Sequence, residues 1–531
     1  MHPFLPQQTL FRAYDIRGDY RYFTDDFVVG LADAFSNHFN QFSINDKTQI
    51  ALGHDMRQGS LDIAQILASI FTKANIEVIW LGLVTTPIMV YWAEQYQGHG
   101  IMITASHSVK NYTGIKWLTA GESPSSADIT SLFNNLHNSK TCVPSTLNLN
   151  QLWIDCQSQI INRQDVAIKE YTQAIHQAMK PLQALNSNKP INTLVIDCLN
   201  GATSDVVSHI FSQYAQQVIV LNDNADGSFP LGNPDPCENG RLQQLQSQVL
   251  KHGADLGLTF DGDGDRIMVV DNQGKIIDAD NLLYLLANTA IEEKKLLKTA
   301  NNMQNTIASD PVSNISVIFD VKCSHHLPAM LKKSGANPIM SKTGSSHMRQ
   351  QMQQSNSNTI FAGELSGHFI FNDGLFISHD DGIYAGVRLL NWLAKQPNSL
   401  HHIINQLPTI VSTTDVYIPV QKEQKSLLAR LITIIKNWLN NLGTAITNKT
   451  TPAIKLPKDA KVCVIDGIRL DFKNGFGVIR PSNTSQSFTI RFAGNTMADV
   501  KKIQQQLVAL CRQIDDKLAN QVAKIQPAYG I

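Results

Sequence analysis

Apolar runs of strand length alternate along this chain with stretches of helical periodicity. Seven of these runs lie at residues 49–52, 78–81, 101–104, 194–197, 218–221, 256–260 and 317–320. Such an alternation is typical of α/β layers in which the sheets are mostly parallel. We therefore expect the larger part of the chain to fold as α/β units.

Polar or glycine-rich loops follow directly after several of these runs. They occupy residues 53–57, 104–107, 197–201 and 261–265. In open α/β sheets, ligands bind beyond the carboxyl ends of the strands. These loops are therefore where the sequence predicts chemistry.

The C-terminal part of the chain has a different pattern. Apolar residues recur at helical spacing over 426–442, and short strands are predicted at 462–465 and 487–492. A last helix is predicted to begin at Thr496, with Asp499 as its capping-box partner. Its apolar stripe consists of Val500, Ile503, Leu507, Leu510 and Ile514. Strands with two core-facing helices predict a separate α+β domain.

Length and charge limit the remaining possibilities. The chain of 531 residues is long enough for about three to five domains. Its 44 Lys and Arg residues equal its 44 Asp and Glu residues, so no net charge attracts it to nucleic acid or anionic lipid. Any cationic site must be local. Three polar tracts, 120–150, 295–315 and 352–359, are predicted to be surface insertions.

Cysteine usage and hydropathy favour a cytoplasmic protein without a membrane segment. The seven cysteines are scattered and include no CxxC pair, which predicts neither a disulfide framework nor a zinc site. No signal peptide is apparent at the N-terminus. The most apolar window, 78–93, is broken by Thr85-Thr86-Pro87 and predicts a strand, a turn and the start of a helix.

The motif DGDGDR at 261–266 predicts a metal site between two strands. Three carboxylates within five residues repel one another unless a cation lies among them, and hard oxygen ligands favour Mg²⁺ or Ca²⁺. An EF-hand requires Gly and Glu where this loop has Arg266 and Asn272. Mg²⁺ shared with a phosphate is the favoured interpretation. A solvated acidic turn and a structural Ca²⁺ module are the alternatives.

Ser106 is the candidate to carry that phosphate. His107 follows it, and Lys110 and Lys116 lie close by in sequence. A Ser-His pair for acyl transfer is the alternative, but no GxSxG elbow surrounds the serine. A phosphoserine carries close to two negative charges and needs nearby cations, which Lys116, His107 and Arg266 could supply together with Mg²⁺.

Two further motifs suit a phosphorylated sugar. In GELSGH at 363–368, an extended backbone would direct Glu364, Ser366 and His368 to one side, as a polyol requires. The alternative is a tight turn with a capping serine. In RPSNT at 480–484, Arg480 precedes hydroxyl and amide groups that together could bind a phosphate; an ordinary Asn/Ser turn is the alternative.

Five motifs in this order resemble those of the α-D-phosphohexomutases, and within them bacterial phosphomannomutase/phosphoglucomutase. They are FRAYDIRG (11–18), TASHSVKNYTGIK (104–116), DGDGDR (261–266), GELSGH (363–368) and RPSNT (480–484). The resemblance implies three similar α/β domains with mixed, mostly parallel sheets and a C-terminal α+β domain, around a central cleft. The implied domains carry the phosphoserine (1–165), the metal (166–275), the sugar-recognition loop (276–407) and the distal phosphate site (408–531).

The same resemblance implies a role for individual residues. Ser106 would be the phosphoserine, and one of its oxygens would bind Mg²⁺ together with the three aspartates. The implied catalytic residues are Ser106, His107, Lys116, Arg266 and Arg17, and the metal ligands are Ser106, Asp261, Asp263 and Asp265. The implied substrate-binding residues are Tyr14, Lys322, Glu364, Ser366, His368, Arg480, Ser482, Asn483 and Thr484.

The activity implied is interconversion of hexose 1-phosphate and hexose 6-phosphate, of mannose or glucose, with hexose 1,6-bisphosphate as activator. The alternatives are a phosphoglucosamine mutase and a phosphosugar-binding protein without turnover. The implied partner is a phosphosugar, with no nucleic acid or membrane, and the chain is expected to be a monomer or weak dimer. Three departures from the family pattern stand at Ser108-Val109, where Asn-Pro is usual, at Ser345, where histidine is frequent, and at Leu365, where methionine is common.

Overall fold

The chain forms two compact units. The first comprises Met1–Ser313 with Asn358–Ile403, and the second comprises Asn314–Ser357 with Ile404–Ile531. The structure, a computed structural model, describes residues 2–44, 47–136, 148–184, 191–304, 315–354, 358–420, 429, 432–433, 460–482, 487–512 and 515–526.

The first unit begins with a mixed sheet whose central strands are parallel. Its elements are β1 (Ile16–Asp19), α1 (Asp25–Phe39), β2 (Thr48–His54), α2 (Ser60–Lys73), β3 (Ile76–Leu83), α3 (Thr86–Glu94), β4 (Gly100–Ile103), β5 (Tyr112–Leu118), α4 (Ser126–Asn135), α5 (Leu149–Cys156) and β6 (Ile161–Asn162). The strand order is β1-β5-β4-β2-β3-β6. Strand β2 is parallel to β3 and β4, whereas β5 is antiparallel to β4 and β1.

A second sheet of the first unit repeats this plan on a smaller scale. Its elements are α6 (Gln164–Ala184), β7 (Ile191–Asp197), α7 (Val207–Phe211), β8 (Ala215–Leu221), α8 (Gln243–His252), β9 (Leu256–Phe260) and β10 (Ile267–Asp271). The order is β10-β9-β7-β8, with β7 parallel to both neighbours and β10 antiparallel to β9. In both sheets the motif loop therefore connects two antiparallel neighbours: β4 to β5, and β9 to β10.

The next part of the chain contributes to both units. Helix α9 (Ala279–Gln304) belongs to the first unit, and β11 (Ile315–Asp320), α10 (Leu327–Lys333), β12 (Asn337–Ser341) and α11 (Ser345–Gln354) belong to the second. The chain then returns to the first unit with β13 (Asn358–Gly363), β14 (Phe369–Phe371), α12 (Gly382–Leu393) and α13 (Leu400–Ile404). Strands β11 and β12 are parallel, and β13 and β14 are antiparallel.

The C-terminal part is an antiparallel sheet with helices. Its elements are β15 (Val411–Ser412), β16 (Val416–Pro419), β17 (Lys461–Cys463), β18 (Ile468–Phe472), β19 (Gly475–Pro481), β20 (Ser487–Gly494), α14 (Met497–Arg512) and α15 (Asp516–Ala523). The order is β15-β20-β19-β18-β17, and β16 also pairs with β20. The described part of the apolar stripe on α14 is buried against the sheet. The predicted α+β character is confirmed.

Local sequence signals account for several element boundaries. The predicted capping box at α14 is present, since Asp499 N–H donates to Thr496 Oγ1 at 3.2 Å and Thr496 N–H donates to Asp499 Oδ2 at 3.1 Å. The window 78–93 forms β3 and α3 as predicted, with Thr85 capping the helix. Among the described residues, every helix is too short or too polar to cross a bilayer.

Other predictions need correction or lie outside the described residues. The tract 120–150 is not a plain surface insertion, because α4 lies within it and buries Ile129, Leu132 and Phe133. The tract 295–315 begins as the last turns of α9, and β13 begins within 352–359. Of the predicted helix 426–442, only residues 429, 432 and 433 are described, and Ile514 lies outside the described residues. The four-domain division stays a prediction.

Candidate active site

The loops of the two sheets in the first unit meet at Ser106. Its Oγ donates a hydrogen bond to Asp261 Oδ2 at 2.6 Å, although the two residues are 155 positions apart along the chain. Both side chains are buried. The serine loop between β4 and β5 therefore lies directly against the acidic loop between β9 and β10.

The backbone at Ser106 is held in an uncommon conformation. Its φ is +51°, in the left-handed region, which costs a non-glycine residue about 1–3 kcal/mol. The Ser106 N–H donates to Thr104 Oγ1 at 2.9 Å. A Cβ on Gly262 would lie 2.5 Å from the Ser106 carbonyl oxygen, so only glycine permits this approach. The glycine between the first two aspartates thus serves the contact between the loops.

The three aspartates converge, with ligand oxygens within 4.8 Å of one another. Lys116 Nζ lies 2.7 Å from Asp263 Oδ2 and 2.6 Å from Asp265 Oδ2. Thr86 Oγ1 donates to Asp263 at 2.6 Å. The remaining oxygens, Oδ1 of Asp263 and of Asp265, are buried without a hydrogen-bond partner among the described residues.

The charges of this cluster are unevenly matched. Burial and the neighbouring carboxylates raise the pKa of Asp261 to about 8. Burial also acts to raise the pKa of Asp263, but Lys116 overcomes it and the net shift is downward. Burial lowers the pKa of Lys116, yet Asp263 and Asp265 raise it well above its ordinary value. Lys116 pairs with two of the three carboxylates, and Arg266 Nε lies 3.7 Å from the third, Asp261. The two oxygens without a hydrogen bond among the described residues are hard donors of the kind that a divalent cation such as Mg²⁺ prefers.

Arg266 and His368 connect the acidic loop to the hairpin of β13 and β14. Arg266 Nε donates to His368 Nε2 at 2.9 Å, and His368 Nδ1 lies 2.9 Å from Asp380 Oδ2. In the neutral ring the proton is therefore on Nδ1, facing Asp380. Burial lowers the pKa of His368, but Asp265 and Asp380 outweigh burial and Arg266, so the net shift is upward. Sequence reasoning missed Asp380, because no motif includes it.

His107 and Arg17 lie against the serine loop. His107 Nδ1 is 3.2 Å from Ser106 Oγ. Burial and then the positive charges of Arg266 and Arg17 lower the pKa of His107 well below its ordinary range. The Nη1 of Arg17 donates to the Ala105 carbonyl at 3.2 Å.

Other residues of the FRAYDIRG and TASHSVKNYTGIK motifs are less buried than Ser106. Arg17 Nη2 forms an ion pair with Asp15 at 2.5 Å. Tyr14 is half-buried in the bend before β1, and Lys110 is exposed. Lys116, rather than Lys110, is therefore the lysine that reaches the acidic loop.

The motif GELSGH forms a tight turn, so the predicted extended backbone is wrong. The Glu364 N–H donates to the His368 carbonyl at 2.9 Å, and the Gly367 N–H donates to the Glu364 carbonyl at 3.2 Å. Gly367 has φ +91°, which the turn requires. Ser366 Oγ donates to Glu364 Oε2 at 3.0 Å. The antiparallel pairing of β13 with β14 forces the chain to reverse here, which residue alternation alone does not reveal.

The second unit contains its own cluster of buried charged side chains. Lys322 Nζ lies 2.5 Å from Asp415 Oδ2, and burial lowers the pKa of Lys322 while Asp415 and Asp320 raise it above its ordinary value. Arg480 Nε donates to Asp466 Oδ2 at 2.7 Å. Arg480 is 3 % exposed, and its Nη2 has no hydrogen-bond partner among the described residues.

Several members of this second cluster carry no sequence signal. Burial acts to raise the pKa of Asp415, but Lys322, Arg491 and Arg480 lower it, which places three cations around one carboxylate. Ser482 is described, and its N–H donates to the Ser487 carbonyl at 2.8 Å. Asn483 and Thr484 lie outside the described residues.

Ser345, which stands where the family frequently has histidine, lies in the second unit. Ser345 is the first residue of α11, and His347 is half-buried on the same helix. Burial and Lys342 lower the pKa of His347, and Asp466 and Arg480 also act on it. His347 therefore lies within electrostatic range of the Arg480 cluster.

A buried serine lies against a carboxylate loop with lysine and arginine beside it, an arrangement within an α/β fold that suits phosphoryl transfer. Family models for phosphoglucomutase/phosphomannomutase α/β/α domains I, II and III match residues 8–141, 169–274 and 278–411. These matches cover more than half of the chain. The chain belongs to the phosphoglucomutase/phosphomannomutase family, within the α-D-phosphohexomutases, and is an intramolecular phosphotransferase.

Individual relatives agree with this assignment over nearly the whole length. The chain is 30% identical over 509 residues to a phosphomannomutase/phosphoglucomutase of Pseudomonas syringae pv. tomato, covering 94% of each chain. It is 29% identical to a phosphoglucomutase of Neisseria meningitidis serogroup A, covering 94% of this chain and 96% of the relative. A crystal structure of a phosphoglucomutase/phosphomannomutase family protein from Burkholderia thailandensis superposes with a TM-score of 0.75 at 25% identity, covering 98% and 99% of the two chains.

Proposed function

We propose that the protein interconverts the 1-phosphate and 6-phosphate of mannose and glucose through a phosphorylated Ser106. The observation that carries this proposal is the 2.6 Å hydrogen bond from the Ser106 hydroxyl to Asp261 within the carboxylate cluster. A phosphate on that hydroxyl would lie beside the oxygens that suit a divalent cation and beside Lys116. Relatives named for mannose and for glucose phosphates support both sugars.

The reaction consists of two phosphoryl transfers. First, the bond from phosphorus to Ser106 Oγ breaks as a bond forms to the free hydroxyl of the hexose monophosphate, and the proton of that hydroxyl passes to Ser106 Oγ. The product is a hexose 1,6-bisphosphate, which turns around in the site. Its other phosphoryl group then returns to Ser106 Oγ, the Ser106 proton passes to the sugar oxygen that is released, and the isomeric monophosphate leaves. Added hexose 1,6-bisphosphate would act as activator by phosphorylating free Ser106.

Asp261, Asp263 and Asp265 would hold Mg²⁺ together with an oxygen of the phosphoserine. When bound, the ion offsets negative charge on the transferring phosphoryl group. Lys116 stays charged because its pKa is raised by two carboxylates, so its role is to stabilise negative charge. Arg266 and Arg17 contribute further positive charge, and His107 offers a hydrogen bond to the phosphate.

Two sets of residues are proposed to bind the substrate, each considered within its own unit. Glu364, Ser366 and His368, with Tyr14, would recognise the hydroxyl groups of the sugar. Lys322, Arg480 and Ser482, with Asn483 and Thr484, would bind the phosphate that does not react. The unpartnered Nη2 of Arg480 supports this, because a buried guanidinium donor without an acceptor suits an oxyanion.

Two alternatives to this proposed activity can be distinguished from it by experiment. A phosphoglucosamine mutase would use the same residues on an amino sugar. The structure of an Aspergillus fumigatus N-acetylphosphoglucosamine mutase with GlcNAc-6P and magnesium is similar in fold alone, at 13% identity and a TM-score of 0.52. A phosphosugar-binding protein without turnover is the other alternative. A cytoplasmic location and a monomer or weak dimer stay predictions.

The test is an assay on a panel of hexose phosphates. Purified protein with Mg²⁺ and trace glucose 1,6-bisphosphate should interconvert mannose 1- and 6-phosphate and glucose 1- and 6-phosphate, and intact mass should show one phosphoryl group on the chain. A higher kcat/KM on glucosamine 6-phosphate would move the assignment to the amino sugar. Binding of the panel without turnover, on a chain that takes no phosphate, would overturn the proposal.

A further inference from the structure

Arg57 binds the serine loop from behind through its guanidinium. It follows β2, and its side chain is completely buried. Nη2 donates to the carbonyls of Ser106 at 2.5 Å and Ser108 at 2.7 Å, and Nη1 donates to those of Val109 at 2.9 Å and Tyr112 at 3.2 Å. One side chain thus accounts for four carbonyl acceptors within seven residues of the loop.

The guanidinium is itself fixed from two sides. Asp55 Oδ2 lies 3.3 Å from Arg57 Nε, and Asp55 Oδ1 accepts the Arg57 N–H at 2.9 Å. The ring of Phe229 covers the guanidinium, with the Arg57 Cζ 4.7 Å from its centroid. These contacts leave Arg57 little freedom, so the four carbonyls must conform to it.

The Ser106 carbonyl is the point where this arrangement reaches the reacting hydroxyl. It accepts from Arg57 on one side and faces Gly262 of the acidic loop on the other. The residue that bears it has the left-handed backbone that directs its hydroxyl to Asp261. If the loop relaxed toward an ordinary backbone, the hydroxyl would leave Asp261 without any change in the catalytic side chains.

We propose that Arg57 is a positioning residue for phosphoryl transfer: its four hydrogen bonds hold the serine loop so that Ser106 faces the acidic cluster. Among the described residues, the hydrogen bonds of Arg57 to the serine loop all go to backbone carbonyls. Its charge also acts on Asp261 and Asp263 at longer range, and Arg57→Lys keeps that charge while it removes the four-fold backbone contact. The inference rests on the proposed function, because the phosphorylation of Ser106 is its readout.

Lysine and alanine test the inference in different ways. Arg57→Lys keeps a positive charge and the aliphatic stem, but a single ammonium cannot span four carbonyls in the plane of a guanidinium fork. Arg57→Ala leaves a cavity of the shape of the lost group. A displacement of about 1 Å in a reacting group costs about 10²-fold in rate, which is the loss of kcat expected for both variants.

The experiment measures kcat, KM for glucose 1-phosphate, and the rate of Ser106 phosphorylation by glucose 1,6-bisphosphate on folded protein. We expect kcat and the phosphorylation rate to fall together in both variants while KM stays close to the wild-type value. We also expect millimolar guanidinium to restore a large part of the rate to Arg57→Ala, and not to accelerate the wild type. Where Arg57→Ala does not fold, Arg57→Lys carries the test.

A matched control is available in the same unit. Arg388 is also buried, lies over the ring of Phe371 at 4.3 Å, and pairs with Glu293 at 2.6 Å, but contacts neither the serine loop nor the acidic loop. Arg388→Lys should lower the melting temperature and leave kcat of the folded enzyme unchanged.

The outcomes separate the inference from the proposed function. If folded Arg57→Lys phosphorylates Ser106 at the wild-type rate, or if Arg388→Lys loses the same kcat, Arg57 has no positioning role and the inference is overturned. If the wild type itself takes no phosphate on Ser106, the proposed function fails first.

Discussion

The ionic cluster of the first unit and that of the second unit differ in how their charges are matched. In the first, Lys116 is shared by Asp263 and Asp265, and Asp261 is bound by the hydroxyl of Ser106. Arg266 Nε also lies 3.7 Å from Asp261 Oδ2, but two carboxylate oxygens are buried without a hydrogen bond among the described residues. The first cluster therefore has carboxylate oxygens whose hydrogen-bonding capacity is not used.

In the second cluster, each of two cations has one close carboxylate, and further cations act on Asp415. Lys322 binds Asp415, and Arg480 binds Asp466, in contacts of 2.5 and 2.7 Å. Arg480 Nη2 is buried and has no hydrogen-bond partner among the described residues. This spare guanidinium donor is the feature that distinguishes the second cluster from the first.

The difference teaches what each cluster can bind. A surplus of converging carboxylates is stabilised by a divalent cation, whereas spare guanidinium and ammonium donors are satisfied by a phosphate. On the proposed function, the first cluster would hold the metal and Arg480 of the second would bind a phosphate.

Removing the phosphate carrier is the most severe test of the first cluster. Ser106→Ala should lower kcat by at least about 10³-fold, because no other hydroxyl can accept the phosphoryl group. The coupled assay for glucose 6-phosphate formation measures it, with the exposed Ser228→Ala as a control that should keep full activity. Retention of activity by Ser106→Ala would remove this residue from the mechanism.

Reducing the carboxylate surplus should weaken metal dependence. Asp263→Asn removes one charge from the cluster while preserving shape. Since even outer-shell changes cost about 10- to 100-fold in metal affinity, we expect at least about a tenfold rise in the Mg²⁺ concentration for half-maximal activity. A titration of activity with Mg²⁺ checks this, with Asp223→Asn as the exposed control. An unchanged titration would exclude Asp263 from the metal site.

Altering a spare donor in the second cluster should affect substrate binding rather than chemistry. Arg480→Lys keeps the charge but loses the planar fork, so we expect KM for glucose 1-phosphate to rise about tenfold with a smaller change in kcat. Steady-state kinetics at saturating Mg²⁺ separates the two parameters. If kcat falls and KM is unchanged, the contrast between the clusters is wrong at this residue.

The smallest predicted effect is on the pH dependence of stability, and it concerns Asp381, a buried carboxylate with a structural role. Asp381 caps α12 and accepts from Tyr171 Oη at 2.6 Å, and burial raises its pKa from 3.8 to about 7. The folded state therefore binds this proton more tightly than the unfolded chain, and the contribution of Asp381 to stability falls as the pH rises from about 4 to about 7.

Asp381→Asn removes that titration. The melting temperature of the wild type should fall relative to that of the variant, by a few degrees, between pH 5 and pH 8, because only the wild type must bury a charge at the higher pH. Thermal unfolding at the two pH values measures it, and equal differences would show that Asp381 does not titrate in this range. Catalysis by the folded variant should be unaffected, which distinguishes this buried carboxylate from those of the acidic loop.

Sequence reasoning was most accurate where a local pattern has one physical solution. The glycines of the acidic loop predict that the three aspartates converge, and Thr496 with Asp499 predicts the start of a helix; both features are present. It was wrong at GELSGH, since alternation of residues does not distinguish an extended strand from a reversal between two paired strands. It missed Arg57 and Asp380, whose partners lie far along the chain and leave no mark in the neighbouring residues.

From its residues alone, this chain was assignable to α/β units followed by an α+β domain, and to loops that carry a serine, an acidic triplet and a basic motif. Hydrophobic periodicity and turn-forming residues act over a few positions, so they predict helices, strands and turns directly from the sequence. The family resemblance implied that Ser106 and the aspartates share one site. Only the tertiary structure decided that Ser106 binds Asp261 directly, that Lys116 is shared by two carboxylates, and that Arg480 Nη2 has no hydrogen-bond partner among the described residues. Such pairings arise because burial forces each charged group to find a partner, and the packing of distant strands determines which partner is within reach.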